Sequence, residues 1–488
     1  MAIGPPEATY RVSLRSACAS DTGLAPAASR RVFAVQDSPR KHHGIELLDA
    51  PARLLVSRFS YGITPGLAEQ VRAAGGAREW WEQQLIPTSV RDSFADELAS
   101  WWPTLNASPR ELWDLDRSGA MRAFGVSQDY QRYVLARRIF SHRQVLEVMT
   151  GLWEDLLDVP LDGGQQYLFR RAYGETLRAN AFGSYEDILL AAITHPAMLV
   201  HRENLGRRLL EQLTVGIGVF GGADLEDAAR VLAGWRVDLP QGERPATWAV
   251  SYDPEDHRAG PVRVLDFTDT EPGADGRATT RRLVGYLARH RATARRVVTR
   301  LVTRFVCDDA PPALVERLVH VYLANDTAVV PVLRAMIGSP EFLASKGAKV
   351  RDTTEDTVAT WRVLGAQLRR PTSSTSAANE LLWQADDVAS IDVHHAMAGR
   401  WSPSATQGMV SRAPQTWLPP LPVRLDQLVD HLSQQLLHQH ASIYLVRTCC
   451  QAVGYDMDQE ITTTHPVATS GIPVLLGTIL DSSDFLLR

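Results

Sequence analysis

Acidic side chains at helical spacing are the first candidates for chemistry in this chain. Glu154 and Asp158 stand one turn apart and Glu147 falls on the same side, within a stretch whose apolar residues also repeat at helical spacing. With Glu203, Glu211 and His257 they could line a cleft where one group gives a proton and another takes one. That is the arrangement of a hydrolase-like acid–base enzyme, with Glu154, Asp158, Glu203 and His257 as its catalytic set. The competing reading is a set of solvated helix faces, where Asp and Glu most often lie.

A second candidate is basic. Arg296, Arg300 and Arg304 recur at every fourth residue and so share a face, with Arg289, Arg291 and Arg295 close by. Such a stripe can grip phosphate or an acidic partner, and with Asn204 and Glu211 it forms the candidate binding set. Pairing with neighbouring carboxylates is the expected alternative in a chain of formal charge -5.

Other patterns argue against whole classes of chemistry. GIGVFG, 216 to 221, has GxGxxG spacing but follows a helical pattern, whereas a dinucleotide fingerprint needs a strand-to-helix turn; no dinucleotide and no other cofactor is expected. His394-His395 lacks metal-ligand spacing, and His195 reads as a structural residue before Pro196. No metal is expected, although Glu154, Asp158, Glu203 and Glu211 could offer oxygen-only coordination to magnesium or calcium. No nucleophile elbow, P-loop or HExxH occurs. The small net charge gives no bulk electrostatic reason for a nucleic-acid partner, and no run of apolar residues is long enough to span a membrane. A protein partner or a small acidic ligand remains as the expected partner.

The elements that must position these residues read as helices, so the fold class is mainly α: a large multi-helix domain with one long irregular loop able to hold a short β-hairpin. Ser184 with Asp187 opens a helix that His195-Pro196 ends; Leu205 to Leu213 form a second stripe, and Asp224 with Asp227 opens a third running to Trp235. The period is equally strong from Ser127 to Val159, as one long helix or two in line. Thr64-Pro65 starts an earlier helix, and the tryptophans of EWWEQQLIP, 79 to 87, read as packing. Residues 238 to 280 break the pattern, with VRVLDF as a hairpin candidate, and four helices follow from Arg281 to Phe342.

The expected organisation is a flexible tail (1–47), a helical core domain (48–368), a polar and proline-rich linker (369–422) and a C-terminal helical segment packed on the core (423–488). The tail has no continuous apolar stretch of the kind a signal peptide carries, and Cys18, Cys307, Cys449 and Cys450 have no CxxC spacing, so a cytoplasmic protein with reduced thiols is expected. ITHPAML, IGSPEFL and LDSSDFLL each close an aliphatic helix at nearly equal intervals, a weak internal repeat.

The segments ITHPAMLV, RENLGRRLLEQLTVG and DLEDAARVLAGW resemble the bacterial domain-of-unknown-function 1800 family, whose members carry HPAML, NENxARELLELxTLG and DVxxLARxLTGW. LLVSRFSYGITPGL, VLEVMTGLWEDLLDV, ARRVVTRLVTRFVCDDAPP and MIGSPEFL extend the likeness, that of a divergent, actinobacterial-type member, over most of the chain. The resemblance implies a mostly helical fold and no established activity. Where relatives show WxNH this chain has Trp153-Glu154-Asp155-Leu156, and a family carboxylate has become Arg208. The expected His-Asp of the loop is His257-Arg258 and the family lysine is Arg263. These losses imply a degenerate site and favour a binding or scaffold member over an active enzyme.

Overall fold

The computed structural model describes residues 39–42, 44–161, 164–200, 204–240, 246–256, 260–270, 276–374, 376–379, 381 and 412–488. Most of the expected tail, His394-His395 and the middle of the expected linker lie outside the described residues.

Helices begin where the local chemistry starts them. α1 (Ala50–Arg58) opens at Asp49, whose carboxylate accepts the Ala52 N–H at 2.7 Å. α2 (Pro65–Ala73) opens at Thr64 with proline in its first turn. Gly75 and Gly76, both at positive φ, separate it from α3 (Ala77–Gln84), whose Trp80 and Trp81 are buried in the core as expected. The short α4 (Ser93–Glu97) and α5 (Pro109–Ser118) follow, α5 with a full Ser108–Glu111 capping box.

The stretch expected as one long helix or two in line is two helices that fold back on each other. α6 (Ala123–Phe140) ends at Ser141, where Asp92 accepts from Ser141 Oγ at 2.6 Å and from the His142 N–H at 2.9 Å. α7 (Gln144–Leu156) then returns alongside, so that Arg137 reaches Glu147 at 3.0 Å. α8 (Arg170–Ala179), α9 (Tyr185–Ile193) and α10 (Pro196–Leu199) continue the layer. α11 (Leu205–Arg207) passes into a π-helical segment, Arg208–Leu213, before α12 (Gly222–Leu232).

Two antiparallel strand pairs break the helical run: β1 (Trp235–Val237) with β2 (Val250–Tyr252), and β3 (Val262–Val264) with β4 (Phe267–Asp269). The second is the expected VRVLDF hairpin. α13 (Arg277–Arg289), α14 (Arg291–Phe305), α15 (Pro312–Ala324), α16 (Val329–Ile337), α17 (Pro340–Leu343) and α18 (Thr353–Val363) follow. The chain ends in α19 (Leu425–Leu437), α20 (Ile443–Val453), α21 (Ile472–Leu480) and α22 (Ser483–Leu486), with β5 (Val423–Arg424) paired to β6 (Glu460–Ile461).

The fold is therefore mainly α, and residues Pro39–Arg488 form one unit. A continuous apolar core runs from Leu48 to Phe485, drawing on nearly every helix. The three repeated motifs occupy the same local setting. α9 with α10, α16 with α17, and α21 with α22 are each an aliphatic helix, a turn and a four-residue helix. His195 Nδ1 accepts the Ala197 N–H at 3.2 Å and Ser339 Oγ the Phe342 N–H at 3.2 Å, so His195 serves as a helix cap. No helix among the described residues is long and apolar enough to cross a membrane.

Candidate functional site

The most ionic part of the interior lies between α6, α7 and α8. Glu147 is 2% exposed and is held by Arg137 Nε at 3.0 Å and Arg178 Nη1 at 2.6 Å. Burial opposes its charge, but the two guanidiniums outweigh that, and its carboxyl stays below the usual range. About two turns further along α7, Glu154 accepts from the Tyr130 hydroxyl and from Arg170 Nη2 at 3.3 Å. Burial first, then the Glu154 carboxylate, raises the Tyr130 phenol well above its ordinary value. Gly174 of α8 makes room for this contact, because a Cβ there would stand 2.0 Å from the Tyr130 hydroxyl oxygen. Both glutamates are thus parts of buried ion pairs that join the three helices.

On the other side of α7 a cleft of about 270 Å³ opens between α6, α14 and the start of α18. Tyr61, Arg138, Asp155, Arg304, Asp352 and Glu355 line it. α18 starts there because Asp352 and Glu355 form a capping box: Asp352 Oδ1 accepts the Glu355 N–H at 2.7 Å and Glu355 Oε2 the Asp352 N–H at 3.1 Å. Glu355 is 2% exposed and forms ion pairs with Arg304 and Arg488, which hold its carboxyl below the usual range despite burial. Arg304 also faces Asp352 at 3.5 Å.

Arg138 differs from its neighbours. Its side chain is only 16% exposed, and its guanidinium lies 5.8 Å from the Tyr61 ring centroid. Its nearest carboxylate oxygen, Glu154 Oε2, is 3.7 Å away, beyond hydrogen-bond reach, and it donates to no acceptor among the described residues. Burial works against its charge, but Tyr61, Glu154 and Asp155 more than offset that, so Arg138 is firmly cationic. Gly151 is what lets it reach the cleft: a Cβ there would meet Arg138 Nη2 at 3.1 Å and the Tyr61 hydroxyl oxygen at 3.2 Å. Asp155 reaches solvent at the mouth, yet the protein around its carboxyl raises its pKa through desolvation, with Asp352 and Glu154 adding to the rise against Arg138 and Arg304.

Those of the residues singled out by sequence that are described are dispersed. Glu203 and His257 lie outside the described residues. Glu154 faces Tyr130 and Arg170, Asp158 is exposed beyond the end of α7, and Glu211 pairs with Arg207 at 3.1 Å; none of the three lines the cleft. Asn204 is exposed at the start of α11. The arginine stripe also divides: Arg296 donates to the Glu211 carbonyl at 3.1 Å, Arg300 is exposed, and Arg304 alone lines the cleft. The Gly216–Gly221 turn leads from the π-helical segment into α12, with Ile217 exposed, and follows no strand. No group of His, Cys, Asp and Glu among the described residues could hold a metal ion.

Arg138, Tyr61, Asp155, Asp352 and Glu355 lie outside the candidate sets that residue type and spacing single out. The readable signals were a glycine inside a helical stripe at Gly151 and the Asp352–Glu355 box before an apolar run.

The fold and site define a mainly α chain with buried arginine–carboxylate pairs beside a polar cleft. The family model described as protein of unknown function (DUF1800) matches residues 54–487, and the chain belongs to that family. No curated protein and no solved structure matches it. In the segment that resembles the family's WxNH, Leu156 is buried in the apolar core while Asp155 lines the cleft.

Proposed function

We propose that this chain is a ligand-binding member of its family whose cleft takes a small polar acid. The observation that carries the reading is Arg138: a side chain 16% exposed that faces the cavity, paired with Glu154 only at 3.7 Å and donating a hydrogen bond to no acceptor among the described residues. Buried charged donors are normally satisfied, and a planar fork of N–H groups suits a carboxylate above all. Asp155 and Asp352 at the mouth favour an acid that also carries an ammonium or hydroxyl group. The acid–base reading on Glu154, Asp158, Glu203 and His257 has no comparable support, since Glu154 is already engaged by Tyr130 and Arg170.

Thermal denaturation with malate, aspartate and glutamate tests the proposal. At least one should raise the melting temperature saturably, and Arg138→Gln should remove that gain while the protein still folds. No shift with any of the three, or a shift that survives Arg138→Gln, would rule the reading out.

A further inference from the structure

A second cavity, of about 330 Å³, lies between α1, the turn after α17, and α19 and α22. Four cationic side chains line it, Arg53, Lys346, Arg351 and Arg488, against one carboxylate, Asp484. Asp484 already accepts from Ser442 Oγ at 2.9 Å.

The guanidiniums here are short of acceptors. Arg488 is 5% exposed; its Nη2 is paired with Glu355 and its Nη1 reaches the Ser57 carbonyl at 3.5 Å, but its buried Nε has no partner among the described residues. Behind it Arg58 is fully buried, with Nη2 donating to the Ser345 carbonyl at 2.5 Å and with Nε and Nη1 unpartnered among the described residues. Arg351 lies 4.5 Å from the centroid of the Phe485 ring, and the carboxylates that act on it through space, Asp356 and Glu355, are both buried on α18. Glu355 is already shared by Arg304 and Arg488. Burial first, and then repulsion from Arg488, pushes Arg58 down to about 9 and Arg351 down to about 10. Arg58 and Arg351, set against Arg488, have no ion-paired carboxylate among the described residues, and buried cations without one are costly. The rest of the lining is mixed: Leu54, Leu436 and Leu437 form an apolar patch beside the polar Ser57, Gln439, His440 and Ser442.

We propose that this cavity binds a small organic carboxylate, its oxyanion held by Arg351 and Arg488 and its hydrocarbon part laid against Leu54, Leu436 and Leu437. The site is separate from the cleft around Arg138 and does not rest on the function proposed for that cleft. Arg351, whose guanidinium donates to no acceptor among the described residues, supplies the fork of donors a carboxylate matches, and Arg488 adds positive charge beside it. The leucine patch gives a reason for a hydrocarbon body that a bare phosphate could not use.

Calorimetric titration of the full chain with octanoate and, separately, with inorganic phosphate decides it. Octanoate should bind saturably and more tightly than phosphate. Arg351→Gln should weaken octanoate by about tenfold or more, as expected for losing a charge-assisted hydrogen bond, while Arg138→Gln should leave it unchanged. Should Arg351→Gln fail to fold, Lys346→Gln at the exposed mouth serves instead, with a several-fold loss expected. No octanoate binding, phosphate binding the tighter, or octanoate affinity unchanged in the folded cavity variant would each overturn the proposal.

Discussion

At the scale of single residues, two glycines carry much of the chemistry on either side of α7. Gly174 admits the Tyr130 hydroxyl, and an added Cβ would lie 2.0 Å from that oxygen, a distance no small shift relieves. Gly174→Ala is expected to force Tyr130 off Glu154 and to destabilise the protein by about 1–3 kcal/mol, the usual range for overpacking. Gly151 is a milder case, with its would-be Cβ 3.1 Å from Arg138 Nη2 and 3.2 Å from the Tyr61 hydroxyl oxygen. Both neighbours are the far ends of longer side chains and can give way. Gly151→Ala should therefore cost less stability than Gly174→Ala while lowering affinity for whichever acid protects the wild type. Denaturant titration of both variants checks the first order, and the melting-temperature gain with ligand checks the second.

At the scale of elements, α6, α7 and α8 are joined by charge as much as by packing. Glu147 bridges Arg137 of α6 and Arg178 of α8 from a position 2% exposed. Removing it takes the carboxylate from Arg137 and leaves Arg178 only the half-exposed Glu175 at 3.5 Å, so Glu147→Ala should cost about 3–5 kcal/mol, as breaking a buried pair generally does. Chemical denaturation is the measurement, and a loss within about 1 kcal/mol, typical of surface pairs, would contradict the bridge. This interface also marks where the sequence is legible and where it is not. The stripe from Ser127 to Val159 is readable because apolar spacing is a local property, and so are the starts at Thr64 and Ser184. The helix expected to open at Asp224 and run to Trp235 is instead capped at Gly221, with Asp224 in its first turn, and gives way to β1 at Trp235. The fold-back at Ser141 depends on Asp92, far away in the chain, and periodicity carries no record of it. For the same reason Glu154 is visible as a carboxylate, but its engagement by Tyr130 and Arg170 is not. Arg304 is readable as one of a helical stripe, whereas the partner that turns it toward the cleft, Glu355, belongs to another helix. The π-helical turn at Arg208–Leu213 leaves the apolar spacing almost unchanged, so it too is hidden.

At the scale of the whole molecule, residues before α1 lie along α19 near the other end of the chain. The Arg40 N–H donates to Asp426 at 3.0 Å, the His42 N–H to Asp430 at 2.7 Å, and the Leu48 N–H to His438 Nε2 at 2.8 Å. The last contact requires a neutral imidazole, because a protonated ring would place a second donor against that N–H. His438 is 2% exposed, and burial first, with Arg72 and Arg53 adding repulsion, lowers its pKa from 6.5 to about 4. The unfolded chain then takes up this proton near 6.5 and the folded chain only near 4. The stability contributed is complete above 6.5, falls as pH drops from 6.5 toward 4, and levels off below. Its size is about 3 kcal/mol, an order-of-magnitude figure from the shift. Glu147 and Glu355 act in a lower window, since their lowered pKa values mean that stability is lost only as pH falls below about 4.5. His438 sits at a left-handed backbone position, φ 54, which asparagine tolerates; its amide does not titrate, and it is too short to reach the Leu48 N–H as Nε2 does. His438→Asn should therefore flatten the stability profile between pH 6.5 and 4 and leave the steeper loss below pH 4.5 in place. Stability measured by denaturant titration across that range checks it, and an unchanged slope in the variant would show that the contact at the start of α1 is not what the acid breaks.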